Sequence, residues 1–145
     1  MDRTTLLTQW HDADSKGLWA APWNRVLSGL TADQAAWKPS PQRHSIWQIV
    51  NHICFWREHE LRSLAGRKPD EAEVTLRNWE EPREFGEAGW SAAQARFRES
   101  YRQMAEAIRN EKNPLDRLCF VMPHDCYHVG QMMYLRSMQG LPSVE

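Results

Sequence analysis

Two histidines four residues apart, His124 and His128, stand in the stretch PHDCYHVGQMMYLR, residues 123–136. On a helix, residues i and i+4 project from one face, so the pair can present two imidazole nitrogens to one ion. Spacing alone is a weak signal. Two ligands also do not complete a catalytic site, since catalytic zinc ordinarily has three protein ligands and water in the fourth position. His52 is the candidate third ligand. It stands between Ile49 and Trp56, three and four residues away, on the helical stripe that should face the core. A buried imidazole needs a partner, because an unsatisfied polar group costs on the order of a few kcal/mol to bury. Metal ligation would satisfy one nitrogen, and so would a hydrogen bond to a side chain or backbone carbonyl; both readings stay open from spacing alone. His11, His44 and His59 are read as surface residues or as supports behind the ligands.

The neighbours of the pair have other roles. HDxxH resembles the HExxH of zinc proteases by one substitution, but no matching downstream ligand follows, so Asp125 is read as supporting the site rather than as a general base. Cys126 lies about 200° around the helix from His124 and cannot easily reach the same ion. Gln131, close after His128, could orient a ligand or a bound water. Gly130 weakens the helix by about 0.5–1 kcal/mol against alanine, which close approach by another helix or a ligand would offset. No catalytic residue is assigned.

Helices are the elements that must position these groups, because apolar residues recur at three and four positions while no alternating β-branched run is present. Three capping boxes are expected, Thr31 with Gln34, Ser45 with Gln48 and Ser91 with Gln94. A first helix is predicted from about Thr4, with Leu7, Trp10, Asp14 and Leu18 along one face and Pro22 kinking or dividing it ahead of a short continuation. A short helix follows Thr31 and stops before Pro39 and Pro41. The second long helix runs from Ser45, burying Ile46, Ile49, Ile53, Trp56 and Leu64 until Gly66 and Pro69 end it. The third starts at Ser91 with Ala93, Phe97, Tyr101 or Met104, and Ile108 inward, and Asn113-Pro114 closes it. The fourth covers at least Pro123 to Gln139, with Pro123 acceptable in a first position and Gly140 as its stop, and residues 115–122 either extend it or form an irregular lead-in. Residues 67–89 lack a clear period and read as a long loop, which can return along a bundle and let the second and third helices run parallel.

The 145 residues suit a single domain, 1–145. With 18 basic and 19 acidic residues, no strong field of either sign favours nucleic acid or an acidic membrane as a partner. The opening MDRTTLLTQWHD has no apolar signal-peptide region and no apolar run reaches membrane-spanning length, so a soluble, cytoplasmic protein is expected. Three cysteines without CxxC spacing fit free thiols rather than a disulfide framework. Eight tryptophans are many for this length and point to a core, an interface or a pocket rim.

Two stretches, HDCYHVGQMMYLRSMQGLP and GLTADQAAWKPSPQRHSIWQIVNHICFWRE, resemble the DinB/YfiT-like metalloenzyme family. The first matches its C-terminal signature, two histidines four apart followed by Gly-Gln and a Leu-Arg pair; the second matches the region where a Trp-x-Pro segment leads into the helix carrying the first histidine. The resemblance implies a four-helix bundle, up-down-down-up with a long crossover loop between helices 2 and 3. It implies a divalent metal, zinc or nickel, on His52, His124 and His128 with a coordination position open to water, and homodimers. Relatives often carry Glu where this chain has Asp125. Some transfer low-molecular-weight thiols and some isomerise with a thiol cofactor, which implies a thiol S-transferase acting on an electrophilic small molecule with such a thiol as co-substrate. A hydrolase using metal-bound hydroxide and a non-catalytic metal-binding stress or scaffold protein stay open. A thiol transferase should also have a basic pocket, for which Arg43, Arg57 and Arg136 are candidates.

Overall fold

The structure, a computed structural model, describes residues 1–68 and 70–144. It is all-α, with no strand among the described residues. In chain order the helices are α1 (Arg3–Ser15), α2 (Trp23–Val26), α3 (Ala32–Ala36), α4 (Ile46–Leu64), α5 (Glu71–Arg77), α6 (Glu87–Arg109), α7 (Leu115–Leu118) and α8 (Val121–Met138). Four of these are long, α1, α4, α6 and α8, at 13, 19, 23 and 18 residues. The chain divides into two compact units, Met1–Ser28 with Arg102–Glu145, and Gly29–Tyr101.

In the unit Gly29–Tyr101, α3 and α4 begin at the capping boxes that the sequence indicates. Thr31 and Ser45 accept from the backbone of Gln34 and Gln48, whose side chains return the bond. Helix α4 stops where Gly66, at φ 85°, lets Arg67 N donate to Arg62 O at 3.0 Å, a turn that only a left-handed residue closes. The expected contribution of Pro69 to that stop lies outside the described residues. Ile46, Ile49 and Ile53 are buried as expected, whereas Trp56 and Leu64 are half-buried. The third capping box does not form. Gly86 starts α6 at Glu87, with Trp90 N donating to Gly86 O at 3.0 Å, so Ser91 already stands in the second turn. Ala93 and Phe97 face inward. Trp90 is buried against Trp47 and donates its indole N–H to Leu30 O at 3.0 Å. The segment 67–89 is not wholly loop, for Asp70 caps α5 by accepting from Ala72 N and Glu73 N.

In the other unit, α1 buries Leu6, Trp10 and Ala13 rather than Leu7, Asp14 and Leu18. Its end is set by Gly17 at φ 72°, where a Cβ would lie 2.4 Å from Ala20 O, so Leu18 never joins the helix. Trp10 meets Trp23 edge-on at 4.8 Å. Of the Tyr101-or-Met104 pair, Met104 is the buried member, with Ile108 behind it. Helix α8 extends ahead of Pro123 to Val121, preceded by the separate short α7, and Pro123 is its third residue, where no intrahelical bond is asked of its nitrogen. Gly140 at φ 68° closes the other end, Leu141 N donating to Arg136 O at 3.1 Å. Among the described residues no helix is long and apolar enough to cross a membrane.

Candidate metal centre

His124 and His128 come from the second and third turns of α8, with ring centroids 4.5 Å apart and planes at 71°. His128 is buried and His124 half-buried. The Nδ1 of His128 lies 2.7 Å from Gln131 Oε1, an atom that can only accept, so Nδ1 carries the proton. Gln131 is held in turn, its Nε2 donating to the Tyr127 hydroxyl at 3.0 Å. The Nδ1 of His124 lies 2.9 Å from Oδ1 of Asp125, a carboxylate that is fully buried. Asp125 therefore sits beside the pair with its Oδ1 facing the His124 ring.

His52 is buried on α4. Its Nδ1 donates to Asn78 O at 2.7 Å. Each of the three rings thus uses Nδ1 as donor, the tautomer in which Nε2 carries the ligating lone pair. The atoms that His52, His124 and His128 can each offer lie within 4.8 Å of one another, so these imidazoles could hold one ion. Two of the three are buried, and all have an oriented acceptor behind them, as metal-binding histidines ordinarily do.

The remaining histidines are placed elsewhere. His44 is exposed and stacked on Trp79; partial burial, then the Lys38 ammonium, hold its pKa below the ordinary value. His59 lies seven residues beyond His52, close to the same helical face two turns on, and packs edgewise on Trp56. His11 pairs with the Arg109 guanidinium at 3.2 Å. Two of the arginines considered for a basic pocket are committed to backbone. Arg57 is fully buried, donating to Phe97 O and Ser100 Oγ at 3.1 Å with its guanidinium 4.6 Å over the Phe97 ring. Arg136 reaches Val26 O and Ser28 O at 3.1 and 3.0 Å. Arg43 is exposed. All three cysteines are free. Burial pushes the Cys54 thiol up to about 11, and burial, then the Asp125 carboxylate, raise that of Cys126.

Asn78 and Trp79 are the residues that sequence reasoning missed. Trp79 lies flat on the His52 ring, centroids 3.8 Å apart and planes within 8°. Both residues follow α5 in the segment read as loop, and no local pattern marks a carbonyl that serves a ring 26 positions away.

The sequence profile of the DinB superfamily matches residues 20–132. The chain belongs to the DinB superfamily. The matched span includes His52, His124, His128 and the segment that holds His52, and leaves α1 outside. No curated protein and no solved structure matches this DinB chain significantly.

Proposed function

We propose that this DinB protein is a metal-dependent thiol S-transferase whose divalent ion, zinc or nickel, is bound by His52, His124 and His128. One observation carries the reading: three imidazoles within reach of one ion, each with Nδ1 engaged by an acceptor. Three protein ligands leave a position for water or a thiol, and an ion there supplies a lowered pKa to whatever occupies it. Asn78 O, Asp125 and Gln131 keep the rings in the ligating tautomer. Two of the chain's own thiols are poor candidates for the transferred sulfur, since burial pushes Cys54 up to about 11 and raises Cys126. That favours an external low-molecular-weight thiol. Its sulfur would form a bond to an electrophilic carbon as the leaving group departs with its electron pair, and the thiol proton would pass to solvent. With Arg57 and Arg136 bound to backbone, only Arg43 of the three arginines is exposed to meet the co-substrate's carboxylates.

The single-domain reading is proposed on the run of one family profile from residue 20 to 132. A homodimer is proposed on Phe120, Tyr127 and Tyr134, apolar residues seven apart on or next to α8 and 73%, 64% and 69% exposed. A cytoplasmic location is proposed with them. The test of function is conjugation of a chromogenic electrophile, expected to require both an added thiol and the metal and to be lost in His128→Ala. Turnover of an ester without any thiol would favour metal-assisted hydrolysis instead. Conjugation surviving in His128→Ala would overturn the transferase reading.

A further inference from the structure

One stripe of α4 is zipped to three consecutive residues beyond α5. Gln48 Nε2 donates to Trp79 O at 3.3 Å, Asn51 Nδ2 to Glu80 O at 3.2 Å, and His52 Nδ1 to Asn78 O at 2.7 Å. The Trp56 indole donates to Asn78 Oδ1 at 2.8 Å, one turn further along. Gln48, His52 and Trp56 are spaced by four and Asn51 flanks them, so a single helical face makes all four bonds. Trp79 is then enclosed between two imidazoles, His52 on one side at 3.8 Å and 8° and His44 on the other at 3.8 Å and 4°.

We propose that Trp79 is a positioning residue for His52, acting with the Asn78 carbonyl as a clamp that fixes the direction of the His52 Nε2 lone pair. The inference rests on the metal reading above. A hydrogen bond at Nδ1 sets one direction in the ring and leaves the ring free to turn about it. A flat aromatic partner removes that rotation, because tilting the imidazole would break the stack. His44 covers the far face, so Trp79 cannot swing away without losing a second stack. The polar contacts to the backbone at 78–80 hold the indole's own chain in register. This arrangement gives a task to the segment that follows α5, a helix with no buried residue of its own. It also couples the segment to the ion: whatever metal binding gains from a fixed His52 must appear as stabilisation of residues 78–80, since coupling is reciprocal.

The test compares wild type, Trp79→Leu and Trp79→Phe, all without affinity tags, by competition against a chromophoric chelator and by the visible spectrum of the cobalt-loaded protein. Loss of a group that orients a metal ligand costs about 10- to 100-fold in affinity. Trp79→Leu is expected to weaken binding by about tenfold and to shift the cobalt bands, and Trp79→Phe, which keeps an aromatic face, to recover most of both. Amide exchange at 78–80 should slow on metal loading in wild type and less so in Trp79→Leu. A folded Trp79→Leu with wild-type affinity and an unchanged cobalt spectrum overturns the clamp, whatever its melting temperature. If wild type itself binds no metal, the metal reading fails first and separately. Should Trp79→Leu not fold, Trp56→Phe carries the test: it removes the indole donor to Asn78 while keeping an aromatic ring beside His52, and several-fold weaker binding supports the clamp while unchanged binding overturns it.

Discussion

Replacing Gln131 with Leu removes one acceptor and one donor of similar shape, and the structure says which loss matters. The donor goes to the Tyr127 hydroxyl, whose residue is 64% exposed, so water takes its place at little cost. The acceptor serves Nδ1–H of His128, a residue only 5% exposed, which water reaches poorly. Leaving a buried donor unmet costs about 1–3 kcal/mol. The metal-free protein can relieve part of that by moving the proton to Nε2. The loaded protein cannot, because Nε2 is then the ligating atom. The penalty therefore falls mainly on metal binding, and about 1–3 kcal/mol corresponds to a loss of roughly 5- to 150-fold in affinity. Chelator competition on Gln131→Leu and wild type, each with a thermal melt of the metal-free form, measures both sides. A melt within a few degrees and an affinity at least fivefold weaker is the expected pair. Unchanged affinity with a lowered melt would refute the reasoning and leave Gln131 a purely structural residue.

Two glycines inside helices should respond to alanine with opposite sign. A Cβ on Gly89 would lie 1.9 Å from Glu84 O, so Gly89→Ala is expected to destabilise despite alanine's better helix propensity, while Gly130, with nothing within 4 Å, should gain about 0.5–1 kcal/mol as a monomer; urea unfolding of both variants checks this. If α8 forms the dimer contact, Gly130→Ala should also change the dimer dissociation constant in sedimentation. Cys54 gives a pH dependence: its folded-state pKa is raised from 9.0 to about 11 by burial, so the unfolded chain ionises first, and the stability present below pH 9 declines as pH rises toward 11. The loss is on the order of 2–3 kcal/mol, and the urea midpoint of Cys54→Ala should fall less steeply than wild type over that window.

The all-helical class was readable because buried faces and caps are local. Ser45 and Gln48 mark the start of α4, and its isoleucines at i, i+3 and i+7 mark the buried side. Helix α5 was not readable, since it has no buried residue and periodicity reports only faces that are buried. The start of α6 was displaced by a turn because Gly86 opens the helix with no side chain to signal it, while Ser91 and Gln94 mimic a box. On α1, Gly17 cut the helix short, and around the shared Trp10 the inward residues are Leu6 and Ala13 in place of Leu7 and Asp14. The three histidines were found because ligand spacing and an apolar stripe are sequence properties. Their supports divide by distance along the chain. Asp125 and Gln131 are within three residues of the histidines they hold and were noticed. Asn78 and Trp79 are distant, and the useful atom of Asn78 is a main-chain oxygen that every residue type has. Arg57 and Arg136 could not be placed from sequence for a related reason: residue type does not tell an available charge from one that, as here, is buried on backbone carbonyls.

The central claim is that one divalent ion is held by His52, His124 and His128, and metal stoichiometry tests it most directly. Tag-free protein incubated with zinc or nickel, desalted and subjected to elemental analysis should retain one ion per chain, and His52→Ala, His124→Ala and His128→Ala should each lose it while staying helical by circular dichroism. Wild type without stoichiometric metal, or all three folded variants retaining it, would contradict the account.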